Sequence, residues 1–160
     1  MKKLNVFLLG ITGLMGLYSC SHSADKINEQ LYSSAMDSGL LPFKNGDTLT
    51  AKGTSPHGNF VLKVNAEMAS VLDGNGKIVS GKEIPEGALI VKEIIDNNGL
   101  NLIALMKKER KSKFAKDGWI WAEYKPGGAI YYDAKKKGAS CVGCHSGAGN
   151  QDFTLTFGLH

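Results

Sequence analysis

The chain has 160 residues, a net charge of +4, 42% hydrophobic and 21% charged residues. That balance excludes a wholly disordered chain, since there is apolar material for a core. A positive charge this mild gives no reason to propose a nucleic-acid partner.

Met1-Lys2-Lys3 is a short positive segment, and Leu4 to Leu17 is an apolar run without charge. Together they read as a secretory signal, too short for a permanent transmembrane helix. The run closes on Leu17-Tyr18-Ser19-Cys20, which looks like a bacterial lipobox with Cys20 as the lipidated residue. Tyr18 is unusual in such a box, so cleavage without lipid is the alternative. The expectation is an exported protein on the periplasmic side of a bacterial membrane, touching it only through the lipid. No later apolar stretch approaches membrane-spanning length.

Ile27, Leu31 and Ala35 recur at four-residue spacing, which predicts a short amphipathic helix capped by Ser23 or Asp25, with a tether before it. Leu40 to Pro56 is rich in Gly, Pro, Thr and Asn and reads as loop with at most a short strand. Phe60 to Val64 predicts a strand, Ala66 to Leu72 one or two helical turns, and Asp73-Gly74-Asn75-Gly76 a turn. Ala88 to Ile95 is a β-branched run of strand length. Asp96-Asn97-Asn98-Gly99 is a hairpin-type turn, and Leu100 to Met106 is the returning strand. Gly118 to Tyr124 and Ala129 to Tyr132, joined by Pro126-Gly127-Gly128, complete an antiparallel set. The predicted fold is α+β, mainly β: an antiparallel sheet flanked by short helices.

The chemistry sits in Cys141-Val142-Gly143-Cys144-His145. C-x-x-C-H is the attachment pattern of c-type haem: two thiols on one turn of chain can add to the two vinyl groups of one porphyrin. The adjacent His145 then presents an imidazole nitrogen to the iron. A disulfide or a thiol-histidine zinc site is the competing reading, but a zinc site normally needs four protein ligands and this stretch offers three. Cysteine arithmetic agrees with haem, because three cysteines divide into Cys20 for the lipid and Cys141 with Cys144 for one covalently attached haem c. The expected organisation is a signal peptide over 1–19, a tether and short helix over 20–40, and a haem-binding domain over 41–160 with its haem near the C-terminus. Only residues 146–160 follow His145, and none is Met or Lys. His160, a chain terminus, is the one candidate axial ligand there. An iron that is five-coordinate, or capped from earlier in the chain, points toward small-ligand chemistry rather than electron transfer alone.

The stretch from His57 to Phe157 resembles the cytochrome P-460 family, which includes the β-sheet cytochromes c-prime. The matching pieces run in order: His57-Gly58-Asn59-Phe60, Val64-Asn65-Ala66, Ile84-Pro85-Glu86-Gly87 and Ile90-Val91-Lys92-Glu93. They continue through Met106-Lys107, Asp117 to Ala122, Cys141 to His145 and Asp152 to Thr156. The resemblance implies an antiparallel sheet, commonly a homodimer, and one haem with His145 as proximal ligand. It also implies a role for Lys92, which stands where the hydroxylamine-oxidising members carry a lysine bonded to the porphyrin edge. Periodicity puts Lys92 on one strand face with Ile90 and Ile94, a costly place for an unpaired amine if that face is inward. If it is outward, Lys92 is an ordinary solvated side chain.

The oxidising members also carry a distal carboxylate on the next strand. The register through the Asn-Gly turn places Ile103 opposite Lys92, and no carboxylate lies between Leu100 and Lys108. The base therefore looks absent, and an apolar pocket suits nitric oxide or carbon monoxide. The run Lys107 to Lys116 and the run Lys135 to Lys137 read as solvated connections, with docking of an acidic redox partner as the alternative. Trp119 and Trp121 read as core, Met68 and Met106 as packing rather than iron ligands, and His57 as a loop residue. The expectation is an exported monohaem cytochrome that binds or oxidises nitric oxide or hydroxylamine at an open iron. An electron carrier with a distal protein ligand is the alternative.

Overall fold

The computed structural model describes residues 19–51, 55–147 and 149–159. Seven strands form one antiparallel sheet: β1 Leu41–Pro42, β2 Leu49–Thr50, β3 Asn59–Val64, β4 Leu89–Asp96, β5 Gly99–Lys108, β6 Trp119–Tyr124 and β7 Ile130–Tyr132. Across the sheet the order is β1-β3-β4-β5-β6-β7, with β2 also paired to β3. Helix α1, Ser19–Ala35, precedes the sheet, and α2, Ala66–Ala69, follows β3. Two further single turns, α3 Val142–His145 and α4 Thr156–Leu159, come after the last strand. This is the α+β, mainly β architecture that the β-branched runs and their Gly and Asn turns predict. The loop expected over Leu40 to Pro56 contributes two strands of two residues each, β1 and β2, and Pro42 sits in one at the sheet edge, where its missing N–H costs least.

Strand alternation divides the apolar side chains between two faces. One face carries Leu89, Val91, Ile103, Leu105, Ile120, Ala122 and Tyr124, and α1 covers it with Leu31 and Ala35. Burying a leucine like Leu31 stabilises by about 1.5–3 kcal/mol, which is why four-residue spacing is enough to dock the helix. Asn28, 2% exposed, ties the helix down further: its backbone carbonyl accepts from the Tyr124 hydroxyl at 3.0 Å and its Nδ2 donates to Asp133 Oδ1 at 3.0 Å. Ser23 and Asp25 stand inside the helix rather than at its cap, since it already runs from Ser19. Once its packed end is nucleated, extending a helix through further residues is cheap. Most of residues 1–19 and the side chain of Cys20 lie outside the described set, as does His160.

The other face reads across the strands as Leu62, Lys92, Ala104, Glu123 and Tyr132. This corrects the expected register, since Lys92 pairs with Ala104 and Ile103 pairs with Glu93. The cause is a bulge: Ile95 pairs with Leu100 but Ile94 pairs with Leu102, leaving Asn101 as an extra residue on β5. A one-residue slip moves every β5 side chain to the opposite face, so Ile103 goes under α1 and the small Ala104 comes up beside Lys92.

Candidate functional site

The face bearing Lys92 does not close over itself. A cavity of about 770 Å³ opens there, floored by Ile90, Lys92, Ala104, Met106, Trp121 and Glu123. His57 and Phe60 flank it on one side, and Cys141, Cys144 and His145 on another. The volume is within the roughly 300–1,000 Å³ of pockets that take a cofactor-sized ligand.

Cys141 to His145 reach the cavity as a single helical turn. His145 N–H donates to the Cys141 carbonyl at 3.1 Å, and Asn150 Nδ2 donates to the Cys144 and His145 carbonyls at 3.3 and 2.9 Å. Those carbonyls would otherwise be left without partners at the helix end. His145 Nδ1 lies 2.8 Å from the Phe153 carbonyl. A carbonyl only accepts, so Nδ1 carries the hydrogen and the Nε2 lone pair is left for a metal. The His145 ring stands edge-on to Trp121, with centroids 4.8 Å apart. Burial lowers the basicity of His145, the Phe153 contact acts the other way, and the Lys92 charge lowers it again. Cys141 is pushed up to about 11, first by burial and then by the charges of Glu123 and Cys144. Both thiols are free. Among the described residues no three His, Cys, Asp or Glu side chains converge on one point as a metal-ion site.

Lys92 is held in the cavity wall, its Nζ 4.4 Å from the Phe60 ring centroid. Burial brings its ammonium down to about 8. Of the two placements that strand period leaves open, the structure shows the inward one. Glu123, which the sequence does not single out, and His57, read there as a loop residue, line the same cavity. Glu123 lies in the same cross-strand row, one strand beyond Ala104, and burial raises its carboxyl. His57 Nε2 is 3.8 Å from Glu123 Oε1, and His57 is lowered to about 4 by burial, then by the charges of Lys92 and His145. As the sequence has it, β5 carries no carboxylate, but β6 brings Glu123 to the same cavity. Glu123 had no sequence signal, since placing it in the row of Lys92 requires the β4–β5 bulge and the β5–β6 pairing together.

The remaining candidates separate cleanly. Met68 is fully buried in the core, whereas Met106 lines the cavity and pairs with Trp121, toward the His145 end. Trp119 and Trp121 are both buried, and only Trp121 reaches the cavity. Within the basic run, Lys108 is no loop residue: it ends β5, is 3% exposed and pairs with Asp152 at 2.8 Å.

A flat, largely apolar ring with polar edges fits this cavity. Among the described residues the buried side-chain polar atoms without a partner are His57 Nδ1 and Trp121 Nε1, and both residues line it. With two thiols on one turn and an imidazole whose Nε2 is free, the donor set is that of a c-type haem protein. The family model for cytochrome P460 matches residues 62–156, more than half of the chain, and the chain belongs to that family. Membership makes it a haem cytochrome of the c type. A search of curated proteins finds no match to the chain.

Proposed function

We propose that the chain is an exported, lipid-anchored monohaem cytochrome that binds and oxidises small nitrogen species of the hydroxylamine type. Cys141 and Cys144 would form the thioethers, His145 would ligate the iron through Nε2, and Lys92 would lie at or bond to the ring edge. The haem, when bound, supplies an iron that takes a nitrogen lone pair and a route for electrons to leave. Cys20 would carry the lipid, and a homodimer and a redox protein as electron acceptor belong to the same reading.

The observation that carries it is the row Lys92, Ala104, Glu123 facing the cavity that Cys141, Cys144 and His145 border. Oxidising hydroxylamine requires protons to leave as well as electrons, so a base must face the bound molecule. Burial raises the Glu123 carboxyl, which makes its carboxylate a better proton acceptor there than an exposed one. His57 stands beside Glu123, its Nε2 3.8 Å from Oε1, and burial keeps it neutral, so it adds no second charge to the wall. Ile90, Phe60 and Leu102 keep the rest of the cavity apolar. Aliphatic and aromatic walls exclude water and leave the charged groups few and directed.

Hydroxylamine turnover by the matured protein with a supplied electron acceptor tests this. Turnover is expected, together with a high-spin spectrum that changes on adding nitric oxide. Ligand binding without turnover would leave a gas-binding protein, and a low-spin spectrum indifferent to nitric oxide would leave an electron carrier.

A further inference from the structure

The Phe153 carbonyl that orients His145 belongs to an unusual stretch of backbone. Asp152 and Phe153 are both left-handed, at φ 47° and 64°. Asp tolerates that region, but for a bulky residue such as Phe it is a true outlier. Such residues persist only where their surroundings over-determine them. Here the surroundings are identifiable. Lys108 Nζ donates to Asp152 Oδ1 at 2.8 Å, and Trp119 Nε1 donates to the Asp152 carbonyl at 3.1 Å. Gln151 and Thr154 close the turn, with Thr154 N–H donating to the Gln151 carbonyl at 2.9 Å and its hydroxyl to the same oxygen at 2.6 Å.

Lys108 is itself fixed from every side. Its backbone bonds Ala88 and Gly87, its ammonium lies 4.8 Å from the Trp119 ring centroid, and a Cβ at Gly118 would meet its Nζ at 3.0 Å. An amine this buried would be costly unless paired, and Asp152, 44 positions away in sequence, is the partner it is given. The sheet therefore grips the turn through Lys108 and Trp119, and the turn grips the imidazole through one carbonyl.

We infer that the Lys108–Asp152 ion pair is a positioning device for His145, holding its Nδ1–H on the Phe153 carbonyl and so setting its ring orientation and its donor strength toward iron. An N–H···O bond on the far nitrogen makes an imidazole a stronger donor to a metal. Stronger donation favours the ferric state, so loosening the turn raises the reduction potential and weakens the iron–histidine bond. The consequence for iron rests on the haem reading above; the orientation of the ring does not.

The test compares wild type with Lys108→Met, Asp152→Asn and a control, Lys63→Met. Lys63 pairs with Glu93 at 2.6 Å on the opposite face of the sheet, remote from His145. In the haem-free chain, nitrogen NMR of the His145 ring should show a fixed Nδ1–H form in wild type and in the control. Lys108→Met should show mixed tautomers. In the haem-loaded protein, Lys108→Met should lower the ferrous iron–histidine stretching frequency and raise the reduction potential. Asp152→Asn keeps an oxygen for Trp119 and Lys108 but drops the charge, so it should give a smaller shift the same way. If Lys108→Met does not fold, Asp152→Asn carries the comparison alone. Wild-type tautomer, frequency and potential in both variants, with only a lower melting temperature, would overturn the inference. A wild-type chain that takes up no haem would overturn the functional reading instead, and the tautomer measurement would still judge the clamp.

Discussion

His57 Nε2 stands 3.8 Å from Glu123 Oε1, with side chains only 19% and 17% exposed, at the edge of a cavity that also holds Lys92. Burial drives the two groups in opposite directions, lowering His57 to about 4 and raising Glu123. Each is pushed toward its neutral form, and that has a measurable consequence for folding. A histidine at about 4 when folded and 6.5 when unfolded binds fewer protons in the folded chain across that interval. Its contribution to stability is present above pH 6.5 and is lost as the pH falls toward 4. Glu123, raised, works against this in part, because the folded chain takes up its proton first. His145 is also lowered in the haem-free chain and adds to the His57 effect. The difference between wild type and His57→Gln isolates one group: wild type should lose roughly 2–3 kcal/mol more than the variant between pH 6.5 and 4. Urea denaturation of the haem-free chain across that range measures it, and parallel curves would show that His57 titrates normally.

Glu123→Gln keeps the shape of the cavity wall and removes the base. Turnover of hydroxylamine should fall by about 10²- to 10⁴-fold, the usual worth of a positioned proton acceptor. Nitric oxide, which has no proton to lose, should bind the variant as it binds wild type. Parallel loss of both would mean that Glu123 holds the pocket together and does no proton chemistry.

Lys92 offers a separate test through stability. With its folded value brought down to about 8 by burial, the charged amine disfavours the folded haem-free chain at neutral pH. That penalty disappears as the pH rises from about 8 to the unfolded value of 10.5, since both states then lose the proton. Contact with the Phe60 ring offsets part of it. Lys92→Met should therefore stabilise the haem-free chain by about 1–3 kcal/mol at pH 7 and by far less at pH 10.5. In the matured protein, peptide mass mapping shows whether wild-type haem carries the Lys92 peptide as well as that of residues 141–145. Equal stability of wild type and variant at both pH values would place Lys92 in contact with water.

What was legible in the sequence was local. Cys141, Cys144 and His145 declare themselves because their chemistry is set by spacing within five residues, whereas Lys92 stands out through the family resemblance, since strand period puts it with Ile90 and Ile94 without saying which way that face looks. Glu123 did not, since its position depends on the extra residue Asn101, which turns Ala104 toward Lys92, and on the pairing of Ala104 with Glu123. No periodicity reveals a bulge before the pairing is known. Lys108 was hidden for a different reason: in a run of lysines the usual reading is solvent, and its partner Asp152 lies far away in the chain. The lipid anchor rests on Cys20, whose side chain lies outside the described set, and is carried by the sequence alone.

Gly138, just before the haem motif, couples the packing of the sheet to the site. It is left-handed, at φ 66°, and a Cβ placed there would lie 2.4 Å from Trp121 Cδ1 and 2.7 Å from its Nε1. Trp121 is buried, and its ring is the surface against which His145 stands edge-on. Ala at 138 must both hold an unfavourable backbone region, at roughly 1–2 kcal/mol, and displace the buried indole of Trp121, at roughly 1–3 kcal/mol more. Gly138→Ala should thus destabilise the haem-free chain by about 2–4 kcal/mol, read by urea denaturation. It should also lower the haem-to-protein ratio of matured material, because a shifted Trp121 takes His145 with it. Gly143, inside the motif, is the internal control: a Cβ there meets nothing within 4 Å and its φ is not left-handed. Gly143→Ala should change stability by no more than about 0.5 kcal/mol. Equal losses at the two positions would mean that the segment tolerates no side chain for reasons unrelated to Trp121.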